Sequence, residues 1–206
     1  MRVRTLGVAV AVLVASAPVA RAVAPDGAPP WSPGAAVYGV SVTKNIPVTM
    51  SDGTVLRVDV YRPSDLVTGA PVQGKDFPVL MTQTPYGKGA SDPAGSGPDT
   101  YLISRGYIEV EVDIRGRGAS EGNFEAFGPR EIQDGVEMVG WSAALSGSNG
   151  KVGLIGCSYL GINQLLTAEA IGPHSPLKAI FPQDSSNSNY RDLAFVGGMP
   201  SAFSAV

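Results

Sequence analysis

Apolar and polar residues alternate along the first half of the chain with the two-residue period of β-strands. The alternation holds over residues 40–50 and again over 55–61, and a Ser-Asp-Gly turn separates the two stretches. This pattern predicts a β-hairpin. Short apolar runs predict four further strands, at residues 77–82, 106–114, 152–155 and 177–182.

Helical periodicity lies between these strands. Residues 130–145 place Ile132, Val136, Val139 and Ala143 at spacings of three and four, which predicts a helix despite two internal glycines. Residues 99–105 and 159–171 predict two more helices. Strands that alternate with helices indicate βαβ units, so we expect an α/β fold with a mostly parallel sheet, helices on both faces and the first hairpin as an antiparallel edge.

The N-terminus has a pattern of its own. Arg2 and Arg4 precede an apolar run, and Ala20 and Ala22 offer small residues at a cleavage site. We interpret residues 1–22 as a signal peptide, which predicts a secreted, periplasmic or extracellular location. The alternative, a membrane anchor, needs about 20 apolar residues, and this run is roughly half as long. Residues 23–37, rich in Pro and Gly, are predicted to be an extended leader before the folded domain at 38–184.

Composition narrows the class of protein. With 44% apolar and 16% charged residues the chain is typical of globular proteins. Loss of residues 1–22 would leave 12 basic residues against 18 acidic ones, a charge of −6 that disfavours nucleic-acid and anionic membrane partners. A single cysteine excludes an intrachain disulfide. No metal or organic cofactor is expected.

The main chemical signal lies at residues 153–161, where an apolar strand runs directly into a helix with Ser158 at the turn. A sharp strand-to-helix turn of this kind, a nucleophile elbow, exposes the hydroxyl and aims helix amides at a developing oxyanion. The turn needs small residues near the serine. Gly156 meets that need, whereas Leu160 breaks the strict G-x-S-x-G pattern and Gly161 follows one position later.

Cys157 is a rival nucleophile, because a thiolate attacks more readily than a hydroxyl. With Cys157 at the elbow, Ile155 and Tyr159 would occupy the positions that must be small, so the pattern favours Ser158. A phosphate-binding turn is a second alternative, but neither G-x-x-x-x-G-K-[ST] nor G-x-G-x-x-G follows a strand here.

Two further clusters follow predicted strands. Residues 84–89 (TPYGKG) contain Tyr86, whose phenol either donates to an oxyanion beside the amide of Tyr159 or only packs there; spacing does not separate the two. Residues 113–122 (DIRGRGASEG) predict a tight loop in which Asp113 and Arg115 hold neighbouring loops by charge-assisted hydrogen bonds.

His174 is the only histidine in the sequence. It follows a helix that begins beside Ser158, and about 13 residues at 1.5 Å each place it roughly 20 Å away. A general base must lie within hydrogen-bond reach. His174 is therefore excluded as the partner of Ser158 and is expected in a surface loop.

Taken together, four ordered motifs resemble the cocaine esterase and Xaa-Pro dipeptidyl-peptidase family of α/β-hydrolases. They are the elbow at 153–161, the Pro-Tyr loop at 84–88, the Arg-Gly loop at 113–122, and Asp134-Gly135 followed by Trp141. The likeness runs from residue 44 to residue 198. It implies an α/β-hydrolase fold, with Ser158 as the catalytic nucleophile and with Tyr86 and the Tyr159 amide as oxyanion donors.

The resemblance also implies what the 206 residues do not contain. Family members carry a helical cap, whose start is expected at 185–206, and a C-terminal jelly roll; the catalytic acid and histidine are expected beyond Val206. The function expected is hydrolysis of small ester or amide substrates through an acyl-enzyme, by a chain that is itself a fragment and inactive alone. Two alternatives are an Xaa-Pro dipeptidyl-peptidase and a truncated secreted protein that binds without cleaving.

Overall fold

A computed structural model describes residues 32–89, 97–186 and 188–201, and the elements named here belong to one unit, Gly34–Val206. The strands are β1 (Gly39–Thr49), β2 (Val55–Ser64), β3 (Phe77–Thr84), β4 (Ile108–Asp113), β5 (Ser148–Cys157), β6 (Leu177–Gln183), β7 (Phe195–Val196) and β8 (Met199–Pro200). The α-helices are α1 (Thr100–Ile103), α2 (Pro129–Ala143) and α3 (Tyr159–Ile171).

Six strands form one mixed sheet in the order β1-β2-β4-β3-β5-β6. The neighbouring strands β4, β3, β5 and β6 are parallel, whereas β2 is antiparallel to both of its neighbours. The predicted hairpin therefore forms one edge of the sheet, as expected. Because the parallel strands point the same way, their last residues, Thr84, Asp113, Cys157 and Gln183, lie at one edge and their following loops meet there.

The hydrophobic core consists of alternate residues of the central strands and the inner face of α2. Val58, Val112, Met81, Leu154 and Met138 are each at most 1% exposed. α2 packs against β3, β5 and α3. Gly135 makes the last of these contacts possible, since a Cβ there would lie 2.5 Å from the Thr167 hydroxyl of α3. One of the two internal glycines of this helix thus has a packing role.

Element boundaries follow the sequence predictions with small shifts. Helix α3 covers 159–171, as predicted, and β2 and β3 start at the predicted residues. β5 begins at Ser148 rather than 152, because its polar first residues pair with the start of β3 at Phe77. α1 is shorter than predicted, and Asp99 is its N-cap, accepting a hydrogen bond from the Tyr101 amide.

The ends of the chain are described only in part. The predicted signal peptide at 1–22 and the leader up to residue 31 lie outside the described residues, so both stay predictions. After β6, the chain forms a π-helical turn at Asn189–Ala194 and the short hairpin β7–β8. Within the described ranges, no helix combines the length and apolar content that crossing a bilayer requires.

Candidate active site

Ser158 stands at the sharp turn between β5 and α3. It is exposed, and its backbone is in a left-handed conformation, with φ 58° and ψ −119°. The Ser158 amide donates to the Gln183 carbonyl at 2.9 Å, which ties the turn to the end of β6, and the Ser158 carbonyl accepts from the Gly161 and Ile162 amides at the start of α3. This is the strained geometry predicted for a nucleophile elbow.

The small residues around the turn are required by space. A Cβ on Gly156 would lie 2.5 Å from the Leu160 Cβ, and one on Gly161 would lie 2.6 Å from the Gln183 carbonyl oxygen. Gly161 therefore meets the need for a small residue that the strict pattern places one position earlier. Leu160, at that earlier position, is fully buried beneath the turn.

Cys157 is partly buried, and its thiol donates to the Asp184 carboxylate at 3.5 Å. Burial raises the pKa of the Cys157 thiol, and the contact with Asp184 raises it further. Because the thiolate is the attacking species, both effects hold this cysteine in its unreactive form. The geometry therefore agrees with Ser158, not Cys157, as the candidate nucleophile.

Tyr159, the first residue of α3, has its amide at the helix N-terminus, where no intrahelical acceptor is available. Its phenol hydroxyl donates a hydrogen bond to the Glu131 carboxylate at 2.6 Å. Burial and this carboxylate raise the pKa of the Tyr159 phenol, so the phenol stays protonated and remains a donor. Glu131 belongs to the first turn of α2 and is 4% exposed.

Aromatic rings surround Tyr159. The Phe127 ring stacks on it with centroids 4.1 Å apart, and Phe124 lies at 6.3 Å. The Tyr86 ring meets it edge-on at 6.5 Å. The structure thus brings the rings of the two candidate oxyanion residues, Tyr86 and Tyr159, together, and Tyr159 directly follows Ser158 in the chain.

The Pro-Tyr loop is held by side chains from β4 and the loop that follows it. Asp113 accepts from the Lys88 amide at 2.7 Å, and its carboxylate lies 3.3 Å from the Lys88 ammonium group. Arg117 donates to the Pro85 carbonyl at 2.9 Å. These contacts lie on both sides of Tyr86, which is 49% exposed, and they fix the backbone from which its phenol projects.

Arg115 ties the Arg-Gly loop, which follows β4, to α2 and to the β1–β2 turn. Its guanidinium group forms a two-point contact with Asp134, at 2.6 and 2.8 Å, and a third contact with Asp52 at 3.1 Å. The contacts of Asp113 and Arg115 agree with the structural role that the sequence predicts for them.

His174 lies in the turn after α3 and is exposed. The 13 residues of α3 separate it from Ser158, so it cannot take the serine proton. The described ranges contain no cluster of three or more His, Cys, Asp or Glu residues that could hold a metal ion.

A mixed sheet of this order, with a strained serine between its fifth strand and the following helix, defines the α/β-hydrolase class of fold. Residues 52–205 match the profile described as X-Pro dipeptidyl-peptidase, S15 family, which is most of the chain. The chain belongs to this family of hydrolases.

Individual relatives agree with this family assignment. The cocaine esterase of Rhodococcus sp. is 35% identical over 153 residues, covering 73% of this chain and 25% of the relative. A CocE/NonD family hydrolase from Staphylococcus aureus superimposes with a TM-score of 0.66 at 32% identity, covering 78% of this chain and 30% of that one. An α-amino acid ester hydrolase shares the fold, with a TM-score of 0.61 at 23% identity. The chain spans about a quarter of the length of the curated relatives it matches.

Sequence reasoning missed three residues at this site: Glu131, Phe127 and Asp184. Glu131 was recognisable only as an acidic residue in a first helical turn, where it suits the helix dipole. Phe127 and Asp184 have φ values of 57° and 41°, and no pattern in the sequence marks them. Together with Ser158 they place three left-handed non-glycine residues around one turn, the kind of clustering that accompanies functional sites.

Proposed function

We propose that this protein hydrolyses ester bonds of small molecules through a covalent acyl-enzyme, with Ser158 as the nucleophile. The observation that carries the proposal is the exposed serine held at a left-handed backbone turn at the carboxyl edge of the sheet. Its membership of the S15 family and its similarity to a cocaine esterase support esters and amides as the substrate class.

In the proposed reaction the Ser158 oxygen attacks the carbonyl carbon, and its proton passes to a histidine base. The carbonyl oxygen becomes an oxyanion, which the Tyr159 amide and the Tyr86 phenol stabilise by donating hydrogen bonds. As the oxyanion collapses, the bond to the leaving group breaks and the base returns the proton to that group. Water then releases the acyl group by the same steps.

The histidine and its acidic partner are proposed to come from residues other than these 206. For the histidine the reason is geometric, because the single histidine of the sequence lies at the far end of α3. For the acid the reason is the usual chain order of the fold, in which the acid follows the serine and precedes the histidine. Reading the coding sequence past Val206 for an aspartate or glutamate followed by a histidine tests this directly.

The activity is tested with the protein expressed from its whole coding sequence and p-nitrophenyl esters as substrates. Ser158→Ala should abolish turnover, with kcat falling on the order of 10⁴-fold or more. Cys157→Ala is the matched control at the adjacent position and should retain activity. Loss of activity in the cysteine variant alone would assign the chemistry to the thiol and overturn the proposal.

A second candidate is release of Xaa-Pro dipeptides, which the description of the matching family favours. Xaa-Pro anilides assayed beside the esters separate the two candidates. A higher kcat/KM for the anilide, abolished by Ser158→Ala, would make the protein a peptidase. No turnover of either substrate would support a protein that binds without cleaving.

A further inference from the structure

Glu131 is a buried carboxylate that the proposed chemistry leaves without a role. It is 4% exposed, and its Oε2 atom accepts two hydrogen bonds, from the Tyr159 hydroxyl at 2.6 Å and from the Phe127 amide at 3.2 Å. Burial raises the pKa of Glu131, and these two hydrogen bonds act in the opposite direction. Burial of a carboxylate is unfavourable unless its hydrogen-bond partners compensate for the lost hydration.

The partners of Glu131 converge on one ring. The Phe127 amide also approaches the Tyr159 hydroxyl, at 3.3 Å, and the Phe127 side chain stacks on the Tyr159 ring. Phe127 makes these contacts from a left-handed backbone conformation, with φ 57°. A buried carboxylate and a residue with a strained backbone, both unfavourable by themselves, thus both contact the Tyr159 side chain.

Holding this phenol fixes both proposed oxyanion donors. The ring belongs to the residue whose own amide is one donor, directly after Ser158. It meets the ring of Tyr86, which carries the other donor, in a T-shaped arrangement. A shift of Tyr159 would therefore move both donors relative to the serine.

We propose that Glu131 is a positioning residue of the oxyanion hole, which acts by anchoring the Tyr159 hydroxyl and through it both donor groups. The inference rests on the proposed function. The hydrogen bonds of Glu131 go to Tyr159 and Phe127 rather than to Ser158, so its proposed effect is on geometry. Misplacement of donors by about 1 Å costs on the order of 100-fold in rate, and complete loss of one donor costs about 100- to 1,000-fold.

The test compares Glu131→Ala, Glu131→Gln and Tyr159→Phe in the protein expressed from its whole coding sequence, by kcat and KM for a p-nitrophenyl ester. The alanine and phenylalanine variants should each lose roughly 10- to 100-fold in kcat with little change in KM, because substrate binding does not use these groups. Glu131→Gln should restore most of the rate, since its amide oxygen can still accept from the Tyr159 hydroxyl. The double variant Glu131→Ala/Tyr159→Phe should be no slower than either single one.

Glu137→Ala is the matched control. This glutamate lies on the same helix and accepts hydrogen bonds from Ser51, away from Tyr159, so its variant should keep the wild-type kcat. A wild-type kcat in Tyr159→Phe, a glutamine variant as slow as the alanine one, or multiplicative losses in the double variant would overturn the inference. Should Glu131→Ala fail to fold, Glu131→Gln and Tyr159→Phe still test the inference. Absence of Ser158-dependent turnover in the wild type is a separate result that removes the proposed function, and this role with it.

Discussion

Gly156 occupies the most restricted position beside Ser158. Its φ of 141° lies in the region that favours glycine, and any side chain would meet Leu160, which is itself fully buried. Leu160 cannot retreat because it packs under the turn. The serine's position is thus set by the lack of a side chain two residues earlier.

Gly156→Ala should therefore destabilise the protein and displace Ser158. Overpacking of this kind costs about 1–3 kcal/mol, and a loss in the free energy of unfolding within that range is expected in urea titrations. Gly140→Ala is the control, because a Cβ there meets nothing within 4 Å and α2 should gain roughly 0.8–1 kcal/mol. Equal stability of Gly156→Ala and the wild type would contradict the packing argument.

The residues of the serine turn could be predicted from the sequence, whereas the residues from other elements that pack against the turn could not. A strand-to-helix turn at a serine has local steric rules, and these indicated Ser158, Gly156 and Gly161. Glu131 and Tyr159 are 28 positions apart. Their contact depends on how α2 and α3 pack, which no local pattern specifies.

Among the elements, β4 departs most from what its pattern suggests. Its residues alternate between valine or isoleucine and Glu109, Glu111 or Asp113, the pattern of a strand with one solvated face. All six residues are buried. Described residues on either side of residues 90–96 contact the acidic face: the Gly89 amide donates to Glu111 and the Asp99 amide donates to Glu109.

This burial should make stability depend on pH through Glu109. Burial raises the pKa of Glu109 from 4.5 to about 8, with Asp99 and Glu111 adding to the rise against the hydrogen bond from the Asp99 amide. Between these values the folded protein keeps a proton that the unfolded chain has released, so the free energy of unfolding falls as pH rises from 4.5 to about 8. Glu109→Gln removes this dependence, and it should gain stability over the wild type as pH rises through that window.

Urea titrations below pH 4.5 and above pH 8 measure this difference. Glu169→Gln serves as the control, because Glu169 is exposed on α3 and its variant should follow the wild type at each pH. A constant difference between Glu109→Gln and the wild type across the window would show that the Glu109 proton is not held on folding.

The loop after β4 depends on the buried pair between Arg115 and Asp134, which are 7% and 2% exposed. Removing Arg115 takes away the two-point contact and leaves Asp134 with Arg130, 2.9 Å away, as its remaining cationic partner. Loss of hydrogen bonds to a charged group should then cost Arg115→Ala about 1.5–3 kcal/mol in the free energy of unfolding. Arg115→Lys should also be destabilised, because it keeps the charge but loses the two-point contact. Lys151→Ala, at an exposed position, should change stability by less than about 0.5 kcal/mol. A similarly small loss in Arg115→Ala would argue against a stabilising role for the Arg115–Asp134 pair.

At the scale of the whole molecule, the sheet collects residues that are distant in sequence at one edge. The order β1-β2-β4-β3-β5-β6 places β3 between β4 and β5, so the Pro-Tyr loop lies between the Arg-Gly loop and the serine turn. The alternation of strands and helices predicted the parallel core and the hairpin edge. It did not predict the strand order, which depends on contacts between segments such as Met81 and Leu154, 73 positions apart.

The same architecture predicts weak reactivity for the 206 residues alone. His174 and Ser158 lie at opposite ends of α3, so the serine has no imidazole within reach. A fluorophosphonate probe should label Ser158 in this polypeptide on the order of 10³- to 10⁴-fold more slowly than in the protein expressed from its whole coding sequence. The rates are compared by mass spectrometry, with Ser158→Ala as the blank. Equal rates would mean that a base exists among these residues.

The strained backbone of Ser158 lowers folding stability at the position of the proposed nucleophile. Its left-handed turn costs about 1–3 kcal/mol for a residue with a side chain, and glycine would adopt it with far less strain. Ser158→Gly should therefore stabilise the fold while removing the proposed nucleophile. The proposed nucleophile is therefore held at the expense of folding stability, the trade-off expected where a reactive group sits at a strained turn.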